Sequence, residues 1–274
     1  MKFKNVAVCL SGHMRTFRET VAPLKELFLD QICENYDFFI YTAPVLDRKK
    51  WRWGLSSSHM CCNLCGQSYS EDGKPKNKGY ELPDHKCGPL SKQDISDIFN
   101  LYDPKKFVVD KKNDYIGADR EPMLRRMKLA DSLRKEYERE NNIKYDLVIR
   151  MRPDQLIVEK FDSTFLLDPK KMGIVGFGKV WGGYQDTFAI SSPENMSLYS
   201  DLINHVSRLK ETSSARIEVV LKRYLEENNI EIYEIPLRFF IRRSWGENHA
   251  AHDQDPITGH PLPWRVHPDP RGRW

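Results

Sequence analysis

The chain has 274 residues, of which 40% are hydrophobic and 30% charged, a composition typical of a globular protein with room for one large α/β domain. Its formal charge of +4 is mild and does not predict nucleic-acid binding, which usually comes with a basic stripe. No apolar run approaches the roughly 18 residues of a membrane span, and the N-terminal apolar run is too short for a signal peptide, so we expect a cytoplasmic protein.

The first elements predicted along the chain are a strand, a helix and a second strand. A short β run over residues 6–10 breaks at Gly12, and apolar positions with helical spacing follow over residues 17–32. Residues 36–42 form another apolar run, which indicates a buried strand. A strand, a helix and a strand in this order predict the beginning of a parallel sheet.

Residues 47–90 interrupt this order with a stretch that is rich in Gly, Lys, Ser and Cys and has no periodicity. An irregular stretch of this length inside a compact domain is typical of a functional loop or of an insertion with its own staple. Regular elements resume with a helix over residues 91–100 capped by Ser91, a strand over 106–110 and an amphipathic helix over 121–141.

The second half of the chain continues the alternation. Strands are predicted over residues 145–151, 173–177, 186–190 and 230–235, and helices over residues 193–209 and 214–228. Residues 242–274, which are rich in Pro, His, Arg and Trp, are predicted to form a C-terminal arm or lid. Residues 1–274 are therefore expected to form one α/β domain, a Rossmann-like, mostly parallel sheet flanked by helices, with a Cys-rich irregular insertion.

The most informative segment is residues 145–154, an apolar run that ends in two arginines, a proline and an aspartate. Open α/β sheets bind ligands beyond the carboxyl ends of their strands, where these charges are expected. Arg150 and Arg152 are predicted to share one side of the extended chain, and two guanidiniums there suit a diphosphate. Asp154 is then placed to hold a divalent cation or a sugar hydroxyl. The alternative is an Arg–Asp salt bridge at the strand end without a ligand.

Four of the six cysteines lie in the insertion, whereas Cys9 and Cys33 fall in predicted core elements and are expected to be buried thiols. The Cys-x-x-Cys-Gly and His-Lys-Cys-Gly segments of the insertion have the shape of zinc knuckles, and zinc needs four N or S ligands in a tetrahedron. The predicted structural zinc ligands are Cys62, Cys65, Cys87 and His85, with His59 and Cys61 as alternatives for the fourth position. A disulfide or unliganded thiols are the alternatives to zinc.

Asp186 and Glu218 are the candidate catalytic carboxylates. Asp186 follows a glycine turn at the beginning of a predicted strand, which places a possible general base at a strand edge facing a loop. Its alternative role is to cap the turn. Glu218 is the second candidate, although its spacing from Lys222 also predicts an ion pair on a helix surface.

The C-terminal arm carries further candidate metal ligands. His249, His252 and Asp253 are close in sequence, and nitrogen ligands from this segment are expected to complete a metal site with Asp154. We name His252 as the ligand of this divalent site. The alternative is that these side chains are solvated residues of a lid.

Three short segments carry a family resemblance. They are Ser11-Gly12-His13-Met14-Arg15, residues 145–154, and residues 186–192 followed by Met196 and Tyr199. Together they resemble small nucleotide-sugar-dependent glycosyltransferases with a GT-A-like fold, which occur in bacteria, plants and large algal viruses. Some of the viral members decorate capsid glycoproteins. The resemblance covers most of residues 5–235.

The resemblance implies a UDP- or GDP-sugar donor, bound in part by the loop after the first strand. The residues of that loop that would approach the nucleotide are Ser11, Gly12, His13 and Arg15, with helix capping as the alternative role of the histidine. Asp154 would stand in the place of the Asp-x-Asp pair that holds a metal-diphosphate, with Mn²⁺ or Mg²⁺ as the ion. Arg152 replaces the first aspartate of that pair, which makes a guanidinium the alternative to the divalent ion.

The sequence therefore predicts a glycosyltransferase that moves a sugar, xylose or another pentose or hexose, to a glycan acceptor with inversion. Arg15, Arg150 and Arg152 would neutralise the leaving diphosphate, and a carboxylate would take the proton of the acceptor. The expected location is the host cytoplasm if the chain is viral. The alternative is a non-catalytic nucleotide-sugar or protein-binding module with a zinc-stapled insertion. A phosphotransferase is disfavoured, because the sequence has no P-loop pattern.

Overall fold

The structure, a computed structural model, describes residues 2–46, 60–61, 68–69, 89–111, 121–175, 182–211, 216–242 and 248–250. These residues form a seven-stranded mixed sheet, a three-stranded sheet and a two-stranded sheet. Helices pack on both faces of the seven-stranded sheet, so the predicted α/β class is confirmed.

The strands are β1 (Phe3–Gly12), β2 (Cys33–Thr42), β3 (Met60–Cys61), β4 (Ser68–Tyr69), β5 (Lys106–Val109), β6 (Leu147–Met151), β7 (Gln155–Ile157), β8 (Met172–Ile174), β9 (Phe188–Ser191), β10 (Ile232–Glu234), β11 (Phe239–Arg242) and β12 (Asn248–Ala250). The helices are α1 (Phe17–Pro23), α2 (Asp30–Ile32), α3 (Lys92–Tyr102), α4 (Glu121–Asn141), α5 (Pro193–Ser200), α6 (Val206–Glu211) and α7 (Ile217–Glu227). A π-helical segment, Leu24–Leu29, joins α1 to α2, and a 3₁₀ segment, Asp201–Asn204, follows α5.

The main sheet has the strand order β10-β8-β9-β6-β1-β2-β5. All of its strands except β9 run in the same direction, so the mostly parallel sheet predicted from the sequence is confirmed. β1 is paired in parallel with β2 on one side and with β6 on the other. The reversed direction of β9 was not predicted, because an apolar strand pattern does not show which way the strand runs.

Two apolar cores hold the helices against the main sheet. Val8, Leu10 and Ile149 belong to one cluster, together with residues of α1 and α3. Cys9 and Val148, which alternate with them along β1 and β6, belong to the cluster that contains residues of α4, α5 and α7. The alternation follows from the two-residue period of a strand, and it divides the buried apolar residues of β1 and β6 between two helical layers.

Some elements differ from the sequence prediction. The helix predicted over residues 17–32 is present, but it becomes π-helical directly after Pro23, which has no N–H to donate to the preceding turn. The helix predicted over residues 193–209 is divided into α5, the 3₁₀ segment and α6. The sheet formed by β7, β11 and β12 was not predicted, since strands of three or four residues are too short to show a period.

None of the described helices is long and apolar enough to cross a membrane. Of the predicted insertion, residues 47–90, the structure describes the paired strands β3 and β4 and residues 89–90. Of the predicted arm, residues 242–274, it describes residue 242 and β12. Cys9 and Cys33 are buried free thiols, as predicted, and burial raises the pKa of Cys33 to about 12.

We expect Ser91→Ala to lower the free energy of unfolding by about 1 kcal/mol, the usual cost of removing an N-cap side chain. Ser91 caps α3 as predicted: its Oγ accepts from the backbone N–H of Asp94 at 3.0 Å, and Asp94 Oδ2 accepts from the backbone N–H of Ser91 at 2.9 Å. Urea denaturation measures the change. Ser132→Ala, in the exposed middle of α4, is the control and should be nearly neutral; equal losses in both variants would contradict the capping argument.

Candidate functional site

The predicted site lies beyond the carboxyl ends of β1 and β6, a region that we call the crevice. These strands pair in parallel with Leu10 opposite Met151, so the segments that follow them leave the sheet side by side. The chain passes from β1 to β2 on one side and reaches β6 on the other side only later, so the strand order reverses between β1 and β6. Open α/β sheets bind their ligands at such a reversal.

Gly12 ends β1 with a φ of 129°, a conformation that favours glycine. Its carbonyl accepts hydrogen bonds from the backbone N–H of Ala43 at 3.1 Å and from Thr42 Oγ1 at 3.0 Å. A Cβ at this position would lie 3.8 Å from Pro153 Cδ, so the loops after β1 and β6 are in contact. Thr20 Oγ1 donates to the carbonyl of Pro153 at 2.6 Å, which fixes α1 to the same loop.

Asp154 joins the two loops through ion pairs with two arginines. Arg152 donates from Nε and Nη2 to the two carboxylate oxygens of Asp154 at 2.8 and 2.7 Å. Arg15, from the loop after β1, places its Nε 3.3 Å from Asp154 Oδ2. The Asp154 side chain is 1% exposed and that of Arg152 is 22% exposed. The salt bridge that the sequence offered as an alternative to a ligand site is therefore present, and it includes Arg15.

Arg150 is buried one residue before the end of β6, with 1% of its surface exposed. Its Nη1 donates to the backbone carbonyl of Asp186, whereas Nε and Nη2 have no hydrogen-bond partner among the described residues. Burial lowers the pKa of Arg150, and the nearby Tyr199, Asp186 and Asp154 oppose that shift. Arg150 and Arg152 thus contact different partners, although their spacing predicted one shared role, because the strand ends between them.

The segment that carries Asp186 packs against the first turn of α7. The backbone N–H of Tyr184 donates to the carbonyl of Glu218 at 2.9 Å. A Cβ on Gly183 would lie 2.2 to 2.4 Å from backbone atoms of Glu218 and Val219, so only glycine fits there. The predicted glycine turn is therefore a close backbone approach that fixes the position of the segment before β9.

Asp186 itself is buried, with 6% of its surface exposed. Its backbone carbonyl accepts from Arg150 and, at 3.5 Å, from the hydroxyl of Tyr199 in α5. Burial raises the pKa of Tyr199, so this hydroxyl remains a donor near neutral pH. The sequence placed Asp186 at the beginning of a strand, whereas β9 begins two residues later, at Phe188; its role as a base stays a prediction.

The prediction that Glu218 forms an exposed ion pair with Lys222 is wrong. Glu218 is 7% exposed, because residues 183–184 cover the first turn of α7. Lys222 instead lies 3.9 Å from Glu226, and its Nζ lies 5.9 Å from the centre of the Tyr184 ring. The burial of Glu218 leaves it a candidate catalytic carboxylate, next to the segment that carries Asp186.

Ser11, near the end of β1, and His13, directly after β1, are both buried. His13 donates from Nδ1 to the carbonyl of Val45 at 3.1 Å, which connects the segments after β1 and β2. This bond does not involve α1, so helix capping is not its function. Ser11 is 2% exposed, and its Oγ has no hydrogen-bond partner within the described ranges.

Three residues at the site, Gln155, Thr187 and Tyr199, were not predicted as site residues from the sequence. Gln155 accepts through Oε1 from the backbone N–H of Arg152 at 2.9 Å and so fixes the turn after β6. Thr187 and Tyr199 are brought to the site by the antiparallel pairing of β9 with β6. Gln155 had a local signal, since it directly follows the charged segment, but the other two depend on a pairing that no local pattern shows.

The described residues contain no group of three His, Cys, Asp or Glu side chains that could hold a metal ion. Because both oxygens of Asp154 contact arginines, a divalent ion there would require further ligands from other parts of the chain. The predicted ligands Cys62, Cys65, His85, Cys87 and His252 lie outside the described residues. Their structural zinc site and divalent site stay predictions.

We expect Gly183→Ala to lower the free energy of unfolding by at least ~2 kcal/mol, because its Cβ would overlap backbone atoms that cannot move aside. Gly182→Ala is the matched control. Gly182 has a φ of 78° and no atom within 4 Å of an added Cβ, so this variant should lose only about 1 kcal/mol of backbone strain. Thermal or urea unfolding measures both changes. A larger loss in Gly182→Ala would contradict the packing argument.

Comparison of the chain with protein-family models and with curated proteins gives no match. We therefore infer the function from the geometry of the crevice and from the chemistry of its side chains.

Proposed function

We propose that the protein is a glycosyltransferase that uses a nucleotide sugar and binds the diphosphate of its donor between the loops after β1 and β6. The observation that carries the proposal is the buried cluster of Arg15, Arg150 and Arg152 with Asp154 and Asp186 at the reversal of strand order. Its charges leave one positive charge in excess inside a weakly screened crevice, which favours an anionic ligand.

Arg152 and Arg15 act on the diphosphate in this proposal. A guanidinium that donates from two nitrogens to a carboxylate presents the same geometry to a phosphate. Arg152 is the more exposed of the ion-paired groups, so an entering phosphate exchanges with Asp154 at this guanidinium first. Arg150 adds a buried positive charge close to the leaving oxygen, where neutralisation lowers the barrier to departure.

The GT-A-like resemblance implies a divalent ion, and the described residues fit it only in part. Asp154 is a suitable oxygen ligand, but its oxygens already contact two arginines. Mn²⁺ or Mg²⁺ would supply further neutralisation of the diphosphate when bound. In the part of the crevice that the structure describes, the guanidiniums would neutralise the diphosphate. The remaining ligands of a divalent ion would come from other residues, and His252 is the candidate named from the sequence.

Asp186 is the proposed general base, with Glu218 as the second candidate. An inverting transfer needs a carboxylate that takes the proton of the acceptor hydroxyl, and a carboxylate works best when the protein fixes its position. The support for Asp186 is its buried place beside Arg150 and the rigid backbone approach at Gly183. The proposed transfer moves a pentose or hexose, xylose among them, to a glycan acceptor, as the resemblance implies.

We expect Arg152→Met to weaken the binding of UDP by about 10- to 100-fold, the range for losing a charge-assisted bidentate contact. Calorimetric titrations with UDP and GDP, each with and without Mn²⁺, measure the affinity and its dependence on metal. Arg208→Met, which removes an exposed arginine paired with Glu227, is the control and should bind like the native protein. Absence of binding to any nucleotide would reject the transferase and favour the protein-binding module.

We expect Asp186→Asn to lower the rate of sugar transfer by roughly 10²- to 10⁴-fold, the usual contribution of a general base, while the affinity for UDP stays near the native value. Release of UDP from a panel of UDP-sugars measures the rate. Asp103→Asn, at an exposed left-handed position after α3, is the control. A native rate in Asp186→Asn would move the base to Glu218, and nucleotide binding without UDP release in the native protein would indicate a non-catalytic binder.

A further inference from the structure

Arg150 differs from Arg15 and Arg152 in what its guanidinium contacts. It is 1% exposed, and among the described residues it makes one hydrogen bond, from Nη1 to the carbonyl of Asp186, and no ion pair. Nε and Nη2 form the edge that remains. A buried cation without a bonded counter-ion is unfavourable, and burial lowers its pKa accordingly.

Two other arginines of the protein show what the Nε–Nη2 edge of a guanidinium binds. Arg152 uses Nε and Nη2 to hold the carboxylate of Asp154, and Arg134 uses Nε and Nη2 to hold Asp131 at 2.9 and 2.7 Å. Both arginines therefore present the edge to an oxyanion. The same edge of Arg150, near the carboxyl end of β6, has no hydrogen-bond partner among the described residues, and its two parallel N–H groups match a carboxylate or a phosphoryl group.

Two hydroxyl-bearing residues lie close to Arg150 in the register of the sheet. Arg150 pairs with Cys9 of β1 and with Ala189 of β9, and Ser11 and Thr187 each lie two residues from these partners, toward the crevice. Alternation places Ser11 on the same face of the sheet as Cys9 and Arg150. Both hydroxyls are at least nine-tenths buried, and neither oxygen has a hydrogen-bond partner within the described ranges.

We propose that Arg150, with the hydroxyls of Ser11 and Thr187, forms an inner oxyanion subsite, distinct from the outer pair Arg15 and Arg152. It takes one compact oxyanion of the substrate, a phosphoryl group or a carboxylate, through the Nε–Nη2 edge. The inference rests on the proposed function only for the origin of that oxyanion, which is either the donor diphosphate or a carboxylate on the transferred sugar or the acceptor.

The test uses the full chain and two probes, inorganic phosphate and acetate, with chloride at the same ionic strength as the baseline. A ligand that binds the native state raises the melting temperature by mass action. We expect at least one oxyanion to raise it beyond chloride, and Arg150→Met to abolish that difference. The variant itself should melt at or above the native temperature, because Met replaces a buried charge that makes no ion pair with the described residues, and the Tyr199 hydroxyl still donates to the carbonyl of Asp186.

Matched variants test whether the response comes from the inner subsite. Arg208→Met, which removes an exposed arginine paired with Glu227, should keep the oxyanion response, whereas Ser11→Ala combined with Thr187→Val should weaken it several-fold. If Arg150→Met fails to fold, the Nε–H resonance of Arg150 in the native protein decides: movement during the phosphate or acetate titration supports the subsite, and a fixed resonance overturns it. An oxyanion response that persists in Arg150→Met, or no response beyond chloride in the native protein, also overturns it.

The same variants show whether the oxyanion at Arg150 comes from the diphosphate or from a sugar carboxylate. A response to phosphate alone identifies the diphosphate as the ligand, and a response to acetate together with tighter binding of UDP-glucuronic acid than of UDP-glucose identifies a sugar carboxylate. If no nucleotide binds while phosphate or acetate still acts through Arg150, the proposed function fails and the inner subsite stands. If UDP binds and no oxyanion acts through Arg150, the subsite fails and the proposed function stands.

Discussion

The ion-pair bridge through Asp154 is the interaction on which the crevice depends, because it joins the loop after β1 to the loop after β6. The bidentate contact with Arg152 alone would stabilise only a local turn, and the 3.3 Å contact with Arg15 makes it a tertiary connection. All three groups are mostly buried, so water screens their attraction weakly. Removal of Asp154 would take from both guanidiniums the carboxylate that they share, and the loss of a buried charge partner is strongly destabilising.

The same bridge determines what a ligand must supply when it enters. An anion that takes Arg152 from Asp154 replaces one oxyanion by another at the same guanidinium edge, so the exchange itself is nearly balanced. It leaves the Asp154 carboxylate beside an additional negative group. The cluster has only one positive charge in excess, whereas a diphosphate carries more than one negative charge. In the proposed function, a divalent cation bound through Asp154 would restore the balance, and diphosphate binding would then be coupled to metal binding without a second aspartate.

The strands and helices of the main sheet could be predicted because their apolar positions repeat with the periods of regular structure, as in α4, whose bounds agree with the prediction. The crevice could be predicted in outline, since charges that follow buried strands must lie at the carboxyl ends. The partners of those charges could not. Glu218 is buried because a glycine of another segment approaches its backbone, and Tyr199 reaches the site because β9 is antiparallel to β6. Such contacts depend on pairing between distant segments and leave no local pattern.

The end of β6 gives two identical side chains, those of Arg150 and Arg152, different environments and different partners. β6 ends at Met151, so Arg150 stays in the sheet and is buried, whereas Arg152 turns back onto Asp154. The buried position makes Arg150 rigid, and its guanidinium is planar, so a ligand on the Nε–Nη2 edge and the carbonyl of Asp186 on Nη1 are held in fixed relative orientation. The proposed transfer requires that the leaving group, the sugar and the base be aligned, and a shared planar group would provide such an alignment before an acceptor binds.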